Sequence, residues 1–436
     1  MSSLPASLFE VPLAFAEAPD WPSTKALPAL RYDVQPYAPT KPGASVQPVL
    51  RDRLIARPRI DLNQYRCRAE IDWLELFLET PDRRQAVNLH RAIRRMLEEL
   101  GSTSTVFVSG PDRKSGYKGT RFLLRFQQPN PQVLRRVLEK IVEKYVPEQT
   151  PDALFLMGIE VSVDFYATKS ATRSETELDL LRWQMVDILR RHLRPEPVLT
   201  ESERGWPRTY GGAYGGDGAT FLLNPSAADL SASVVPLTAK YDLPASAFVP
   251  LDLKKHTQPA VDRTAYIGAR EEVVSLRSMD KITDRRDPEA GTAVPLRLKD
   301  CRARLEVTLK GEPGEVGGHG ALGMERVADL YGFDFQKELR KLVFEFFLPT
   351  FGAPCETASL GFPVKASEVE VFKRSGVYGL DRLHRAIHDI NLCRHQQGVL
   401  ADKPVTLRRK GRLVSWEEMN KKVNRALDRL SKDWAG

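Results

Sequence analysis

This chain is poor in the residues that would mark a disulfide-built, membrane-bound or nucleotide-hydrolysing protein. It has four cysteines in 436 residues, Cys67, Cys301, Cys355 and Cys393, and none shares a Cys-x-x-Cys spacing. That argues against a disulfide frame and a zinc knuckle, and for a reducing compartment. No apolar run approaches the ~20 residues of a transmembrane helix. The start, Met1-Ser-Ser-Leu-Pro5, lacks the basic and apolar segments of a secretory signal. A soluble cytoplasmic protein with no membrane partner is expected. The histidines include no histidine-hydrophobe-histidine triplet, which argues against a metal site of that type. His384 and His388 lie one helical turn apart, with Cys393 and His395 beyond, but no His-Glu-x-x-His glutamate accompanies them. Surface or partly buried histidines are a better reading than zinc. The glycine-rich stretches 210–218 and 311–323 are not followed by Gly-Lys-Ser/Thr, so a phosphate-cradling P-loop is not expected.

Positive charge is in excess. Lys and Arg total 65 against 57 Asp and Glu, a net charge of +8, which favours a polyanionic partner. Hydrophobic content of 42% allows a sizeable core. Residues 1–60 carry prolines at 5, 12, 19, 22, 28, 36, 39, 42, 48 and 58, and no period survives among them. A Pro-rich, largely disordered arm is expected there. Order begins at Arg68–Leu78, which alternates like a half-buried strand. A helix from about Arg83 to Leu100 is predicted by Ala86, Leu89, Ile93, Leu97 and Leu100 on one face. Ser104–Val108 and Thr120–Phe126 read as strands. Asn130-Pro131 opens a second helix with a cap and a first-turn proline. Phe155–Phe165 is the next strand, and a long helix follows over Glu175–His192.

The order β-α-β-β-α-β predicts an α+β fold with a ferredoxin-like, split βαβ antiparallel sheet as its core. The expected organisation is the arm over 1–60, this unit over 65–170, a second α/β unit over 171–350 that duplicates or extends the sheet, and a basic, mainly helical region over 351–436. In that last region Val405–Val414 reads as a hairpin around Lys410-Gly411, and Ser415-Trp-Glu-Glu418 reads as a capping box.

Chemistry concentrates on a few strands. Glu160 and Asp164 are four apart on one predicted strand and share a face. Glu306 sits mid-strand in a similar setting. Charged groups in apolar strands are costly unless paired or bound to metal. Carboxylate oxygens suit Mg²⁺ or Mn²⁺, which can polarise a phosphodiester. The competing reading pairs each carboxylate with Arg302, Arg304 or another strand arginine. Arg408, Arg409, Lys410 and Arg412, followed by Lys421, Lys422 and Arg425, form the densest basic region. A basic hairpin leading into a basic helix can straddle a phosphate backbone. A solvated helix face is the plainer alternative.

Five motifs then follow in order: Ile71-Asp72-Trp73, the paired acids, Tyr266-Ile267-Gly268, Leu276-Arg277-x-x-Asp280-Lys281, and Arg304-Leu305-Glu306. Together they resemble the replication initiation factor family, the rolling-circle initiators of small plasmids and filamentous phages. The resemblance covers roughly residues 65–350. It implies a metal-assisted tyrosine that attacks a scissile phosphate, DNA contacts by Arg277, Lys281 and Arg304, and Mg²⁺ or Mn²⁺ at Glu160, Asp164 and Glu306. The chain departs from the pattern at two places. The first acid is Glu160 where the family has aspartate, and no arginine precedes it. Met279 stands where the family has its nicking tyrosine. A thioether has no proton to lose and cannot replace a phenol. If the hairpin turns at Glu271-Glu272, Tyr266 opposes Arg277 and shares the face of Met279, with diagonal neighbours ~7–8 Å apart. Tyr266, with Lys281, is then the candidate catalytic pair, against the plainer reading of Tyr266 as a packing residue. Tyr210 and Tyr214 lie in a glycine-rich loop that could reach such a site, against the plainer reading of a DNA-stacking or spacer element.

The resemblance thus implies a DNA-binding replication initiator of a plasmid, phage or mobile element that nicks one strand. The alternative is a non-catalytic, sequence-specific DNA-binding regulator derived from one. The implied partners are origin DNA, as duplex or hairpin, and a host helicase. A homodimer is compatible with both readings.

Overall fold

Prolines close short strands at the N-terminus. The computed structural model describes residues 7–17, 19, 21–22, 25–38, 46–110, 118–168, 173–195, 209–211, 220–222, 260–267, 273–287, 292–312, 318–352 and 368–435. Ser7–Pro12 (β1), Ala29–Pro36 (β2) and Arg53–Pro58 (β3) pair antiparallel, and each ends at a proline. Thr350–Gly352, β16 in chain order, adds the fourth strand beside β3. The expectation of a largely disordered arm is corrected for these segments. Leu30, Tyr32 and Val34 alternate inward and are buried. The Tyr32 ring stacks on Phe9 at 4.8 Å, and its hydroxyl lies 3.0 Å from His192 Nε2. Runs this short between prolines show no readable period, yet a proline at a strand end costs the ladder nothing.

Among the described residues the main sheet has nine strands. Tyr65–Arg84 (β4), Thr105–Ser109 (β5), Gly119–Gln127 (β6) and Phe155–Ala167 (β7) alternate with helices α1 (Ala86–Glu99) and α2 (Pro131–Tyr145). Their spatial order is β5-β6-β4-β7, all antiparallel, so the two β-α-β crossovers interleave. Thr209–Gly211 (β8), Thr220–Leu222 (β9), Ala265–Ile267 (β10), Val274–Lys281 (β11) and Arg302–Lys310 (β14) continue the same sheet in the order β7-β14-β11-β10-β8-β9. Thr283–Asp287 (β12) and Thr292–Pro295 (β13) form a separate two-stranded ribbon between β11 and β14. The architecture is α+β with antiparallel sheets.

One face of the long sheet is apolar and carries helices. Helix α2 forms as its cap predicts, with the Asn130 side chain accepting from the backbone of Gln132 and Val133 and Pro131 in the first turn. It buries Leu134, Val137, Leu138, Ile141 and Val142, each contributing roughly 1.5–3 kcal/mol of transfer free energy. Helix α3 (Glu175–His192) starts at a capping box on Ser174 and packs on β14, β11 and β7. A C-terminal helix, Glu417–Trp434, packs on β4 and on the short helix Phe335–Leu342. A kinked helix, Glu368–Gln396, breaks at Gly376, whose φ of 63° is left-handed and whose missing Cβ admits the backbone of Arg191.

Two C-terminal expectations are corrected. Residues 405–407 are not a strand, and Val414–Ser415 (β17) pairs instead with Phe347–Leu348 (β15). Ser415 does not cap the last helix; its hydroxyl accepts from Asn420 Nδ2 at 3.1 Å. Asn420 is buried there and is occupied with the Phe346 backbone. Tyr214 and the Gly212–Gly218 loop lie outside the described residues.

Candidate functional site

Strand alternation sorts the charged residues onto the face opposite the helices. Cross-strand partners share a face. The pairs Arg277↔Glu306, Met279↔Arg304 and Lys281↔Arg302 link β11 to β14. The pairs Arg304↔Asp164 and Thr308↔Glu160 link β14 to β7, and Arg68↔Asp164 links β7 to β4. Between Ile71 and Trp73 the β4–β7 register shifts, so Asp72 is the extra residue of a bulge. Bulges re-aim a side chain. Here Asp72 turns toward β14.

Arg304 is the centre of this face and is fully buried. Its Nε and Nη2 each lie 2.6 Å from an oxygen of Asp164. Nη2 also donates to Glu70 at 2.5 Å, and Nη1 to Asp72 at 2.9 Å and Glu306 at 3.3 Å. Arg302 Nε is 2.9 Å from Asp164 as an ion pair without hydrogen-bond alignment. Arg277 Nη2 donates to Glu160 at 2.7 Å, and its Nε contacts Glu306. Thr308 donates to the other Glu160 oxygen at 2.5 Å.

Five carboxylates therefore meet three inner guanidiniums, with Arg68 and Lys281 at the rim. Asp164 is saturated by Arg302 and Arg304. Asp72, Glu160 and Glu306 crowd together, with one oxygen from each within 4.8 Å of the other two. Glu160 is the member short of positive charge. Burial first, and the Glu306 charge next, push it up to about 7 against the pull of Arg277. Burial alone would also raise Asp72, but Arg304 and Lys281 more than offset it, so Asp72 is held below the usual carboxylate range.

The structure thus brings Glu160 and Glu306 together and leaves Asp164 out. Asp72 takes the third corner. Sequence reasoning passed over Asp72 because strand alternation treats it like Glu70; its place in Ile71-Asp72-Trp73 was the available signal. The set fits a hard divalent cation by donor type and residual charge, although Arg277 bridges two of its members and would have to swing outward. Arg277 is one-third exposed, which leaves it room.

Tyr266 pairs directly with Arg277, the register that a turn at Glu271-Glu272 requires, and is half-buried. Against the burial that would lower it, the Arg277 guanidinium is raised by Glu306, by Glu160 and, after them, by Tyr266. Tyr210 is the cross-strand partner of Tyr266 on β8. Met279 stands between Arg277 and Lys281 on the same face, opposite Arg304. Lys281 has no hydrogen-bond or ion-pair partner among the described residues. Asp280 points the other way and accepts from Arg182 at 2.5 Å and Trp183 at 3.2 Å.

The candidate DNA contacts divide by exposure. Arg304 is removed from that set: a guanidinium with no exposed surface that binds four carboxylates cannot reach a phosphate. Arg408, Arg409, Lys410, Lys421 and Arg425 are exposed; Arg412 and Lys422 are half-buried. Arg409 is held by Glu345 at 2.9 Å. His384 is buried against Glu368 at 2.9 Å, and His395 Nδ1 lies 3.0 Å from the Leu400 carbonyl, so these two histidines do not converge.

No protein-family profile matches this chain, and no curated protein sequence does. Among solved structures, a rolling circle replication initiator protein from Geobacillus stearothermophilus is similar at 12% identity and a TM-score of 0.25, over 78% of this chain and 100% of that one. An overlap that slight says nothing of the site, and function is read from the side chains.

Proposed function

We propose that this chain is a DNA-binding replication initiator of the rolling-circle type, and that it works at the corner of the sheet formed by Asp72, Glu160, Glu306, Lys281 and Tyr266. One observation carries the reading: carboxylates from three strands converge on a face whose next strand sets Tyr266 against Arg277. The motif order that resembles the initiator family supports it.

Mg²⁺ or Mn²⁺ bound by Asp72, Glu160 and Glu306 would polarise a phosphate oxygen. The chain's own residues supply the rest. Lys281, which makes no hydrogen bond or close ion pair among the described residues, meets the phosphate. Arg277 favours the phenolate of Tyr266 by its charge. The Tyr266 oxygen forms the new bond to phosphorus, and the 3′ oxygen of the broken strand leaves and takes up a proton. The exposed basic residues Arg408, Lys410, Lys421 and Arg425 hold the backbone of origin DNA, with Arg409, Arg412 and Lys422 beside them. A host helicase and a second copy of the chain remain proposed partners.

A second reading, a DNA-binding regulator that does not cut, is favoured by Met279 at the family's tyrosine position and by guanidiniums already seated among the carboxylates. The test is incubation of the full chain with labelled single-stranded origin DNA and Mn²⁺, with mass mapping of any adduct. An adduct on Tyr266, lost in Tyr266→Phe and in Asp72→Asn while duplex binding persists, is the expected result. Tight binding with no adduct leaves the regulator. No binding to DNA overturns both readings.

A further inference from the structure

The helical side of the sheet holds a cleft of about 650 Å³ between the helix Phe335–Leu342 and the 409–417 segment. Arg340 and Lys341 line one wall, and Arg409 and Lys410 the other, with Ser415 and Glu417 at the end. The walls are fixed. Gly411 closes a turn by donating to the Arg408 carbonyl at 2.8 Å, and its φ of 55° is left-handed. A Cβ there would collide with Asp381. Arg385 donates to the Arg409 carbonyl at 2.7 Å from one side. From the other side Arg409 donates to the Lys341 carbonyl at 2.6 Å and to Glu345 at 2.9 Å. The Arg409 charge is thereby spent on building the cleft, and it neutralises the buried Glu345.

What remains is a set of cations on a fixed backbone. Arg340, Lys341 and Lys410, which line the cleft, and Arg408, next to it in the chain, have no side-chain hydrogen bond or ion pair among the described residues. Four unsatisfied cations on a preformed frame recognise closely spaced negative charges without ordering a loop first. Alternation places this set away from the carboxylates: the C-terminal helix sits near Cys67, which faces opposite Arg68 and Asp164.

We infer that this cleft seats the phosphate backbone of duplex DNA, as a second contact separated by the sheet from the proposed reaction centre. The inference rests on the DNA-binding reading above. It adds Arg340 and Lys341, and it makes Arg409 a positioning residue. A duplex held on the helical side leaves the carboxylate face free for a separated strand.

The test measures binding of the full chain to a short labelled duplex across a KCl series. Each lost phosphate contact lowers the salt slope by ~0.9. Lys341→Gln with Lys410→Gln, one from each wall, should flatten the slope by about 2 and leave Mn²⁺ binding unchanged. Arg340→Gln with Arg408→Gln should do the same, which guards against one variant folding poorly. An unchanged slope in both variants, with the parent binding duplex, overturns the inference and leaves the DNA reading intact. An unchanged slope with lost binding to polyglutamate assigns the cleft to an acidic protein partner and also overturns it. A parent chain that does not bind duplex overturns the DNA reading itself.

Discussion

Replacing Glu160 by glutamine isolates the charge deficit of the carboxylate corner. Glutamine keeps an oxygen for Arg277 and an amide group for Thr308, so the hydrogen bonds survive. Only the ionisation is lost. In the parent chain burial and Glu306 raise the Glu160 carboxyl from 4.5 to about 7. A group raised on folding contributes stability that is full below its unfolded value and is lost as pH rises through its folded value. The parent should therefore lose stability between pH 4.5 and about 7 through this group. At 1.36 kcal/mol per unit the loss is about 3 kcal/mol. Unfolding entropy of roughly 2.1 cal/mol/K per residue converts this to ~3–4 °C in Tm. Scanning calorimetry of parent and Glu160→Gln from pH 5 to 8 should show two Tm curves that nearly meet at the acid end and separate by that amount at pH 8, with the variant higher. Mn²⁺ should raise the parent at pH 8 and leave the variant less affected. Parallel curves would refute the deficit, and with it the physical case for a cation at this corner.

Arg304→Met removes the cation shared by four carboxylates and should cost ~3–5 kcal/mol. The loss should be larger at pH 8 than at pH 5, because Asp164 and its neighbours can then escape only by taking up protons; urea unfolding at both pH values checks this. Met279→Tyr puts a phenol on the face of Lys281 and Arg277. A DNA adduct mapping to position 279 under Mn²⁺ is expected, and none from a folded, DNA-binding variant would count against this face as a reaction centre.

Much of the frame was legible because its residues repeat. Leu89, Ile93 and Leu97 mark α1 by spacing, Asn130-Pro131 marks the start of α2, and Glu175–His192 forms at the predicted bounds. Elements whose partners are remote in sequence were not legible. The strands β1–β3 are each six or eight residues long and owe their burial to residues such as His192, Phe351 and Phe372. The Val405–Val414 segment has a hairpin's composition, but Val414 finds a better partner in Leu348. The site was half legible for the same reason. Glu160 and Glu306 stand out as charges in apolar strands, whereas Asp72 reads like Glu70, one more carboxylate on an alternating strand, and only the fold sets it beside them. Asp164 looked equivalent to Glu160, and the fold decides between the two readings for it: Arg302 and Arg304 occupy it, as the competing reading had it.

The N-terminal sheet has a consequence for how the chain is made. Its strand β3 needs β16, with Ile55 opposite Thr350, and Arg53 is bound by Glu368 at 2.8 Å. About 300 residues must leave the ribosome between the two halves of that contact, roughly 15–60 s of synthesis at 5–20 residues per second. Through that interval Ile55 lacks β16 beside it, and Tyr32 and Phe9 lack the Phe372 ring. The nine-stranded sheet can pair meanwhile, so the first strands translated are among the last to settle, and a ribosome-bound chain stalled before Thr350 should expose them to protease.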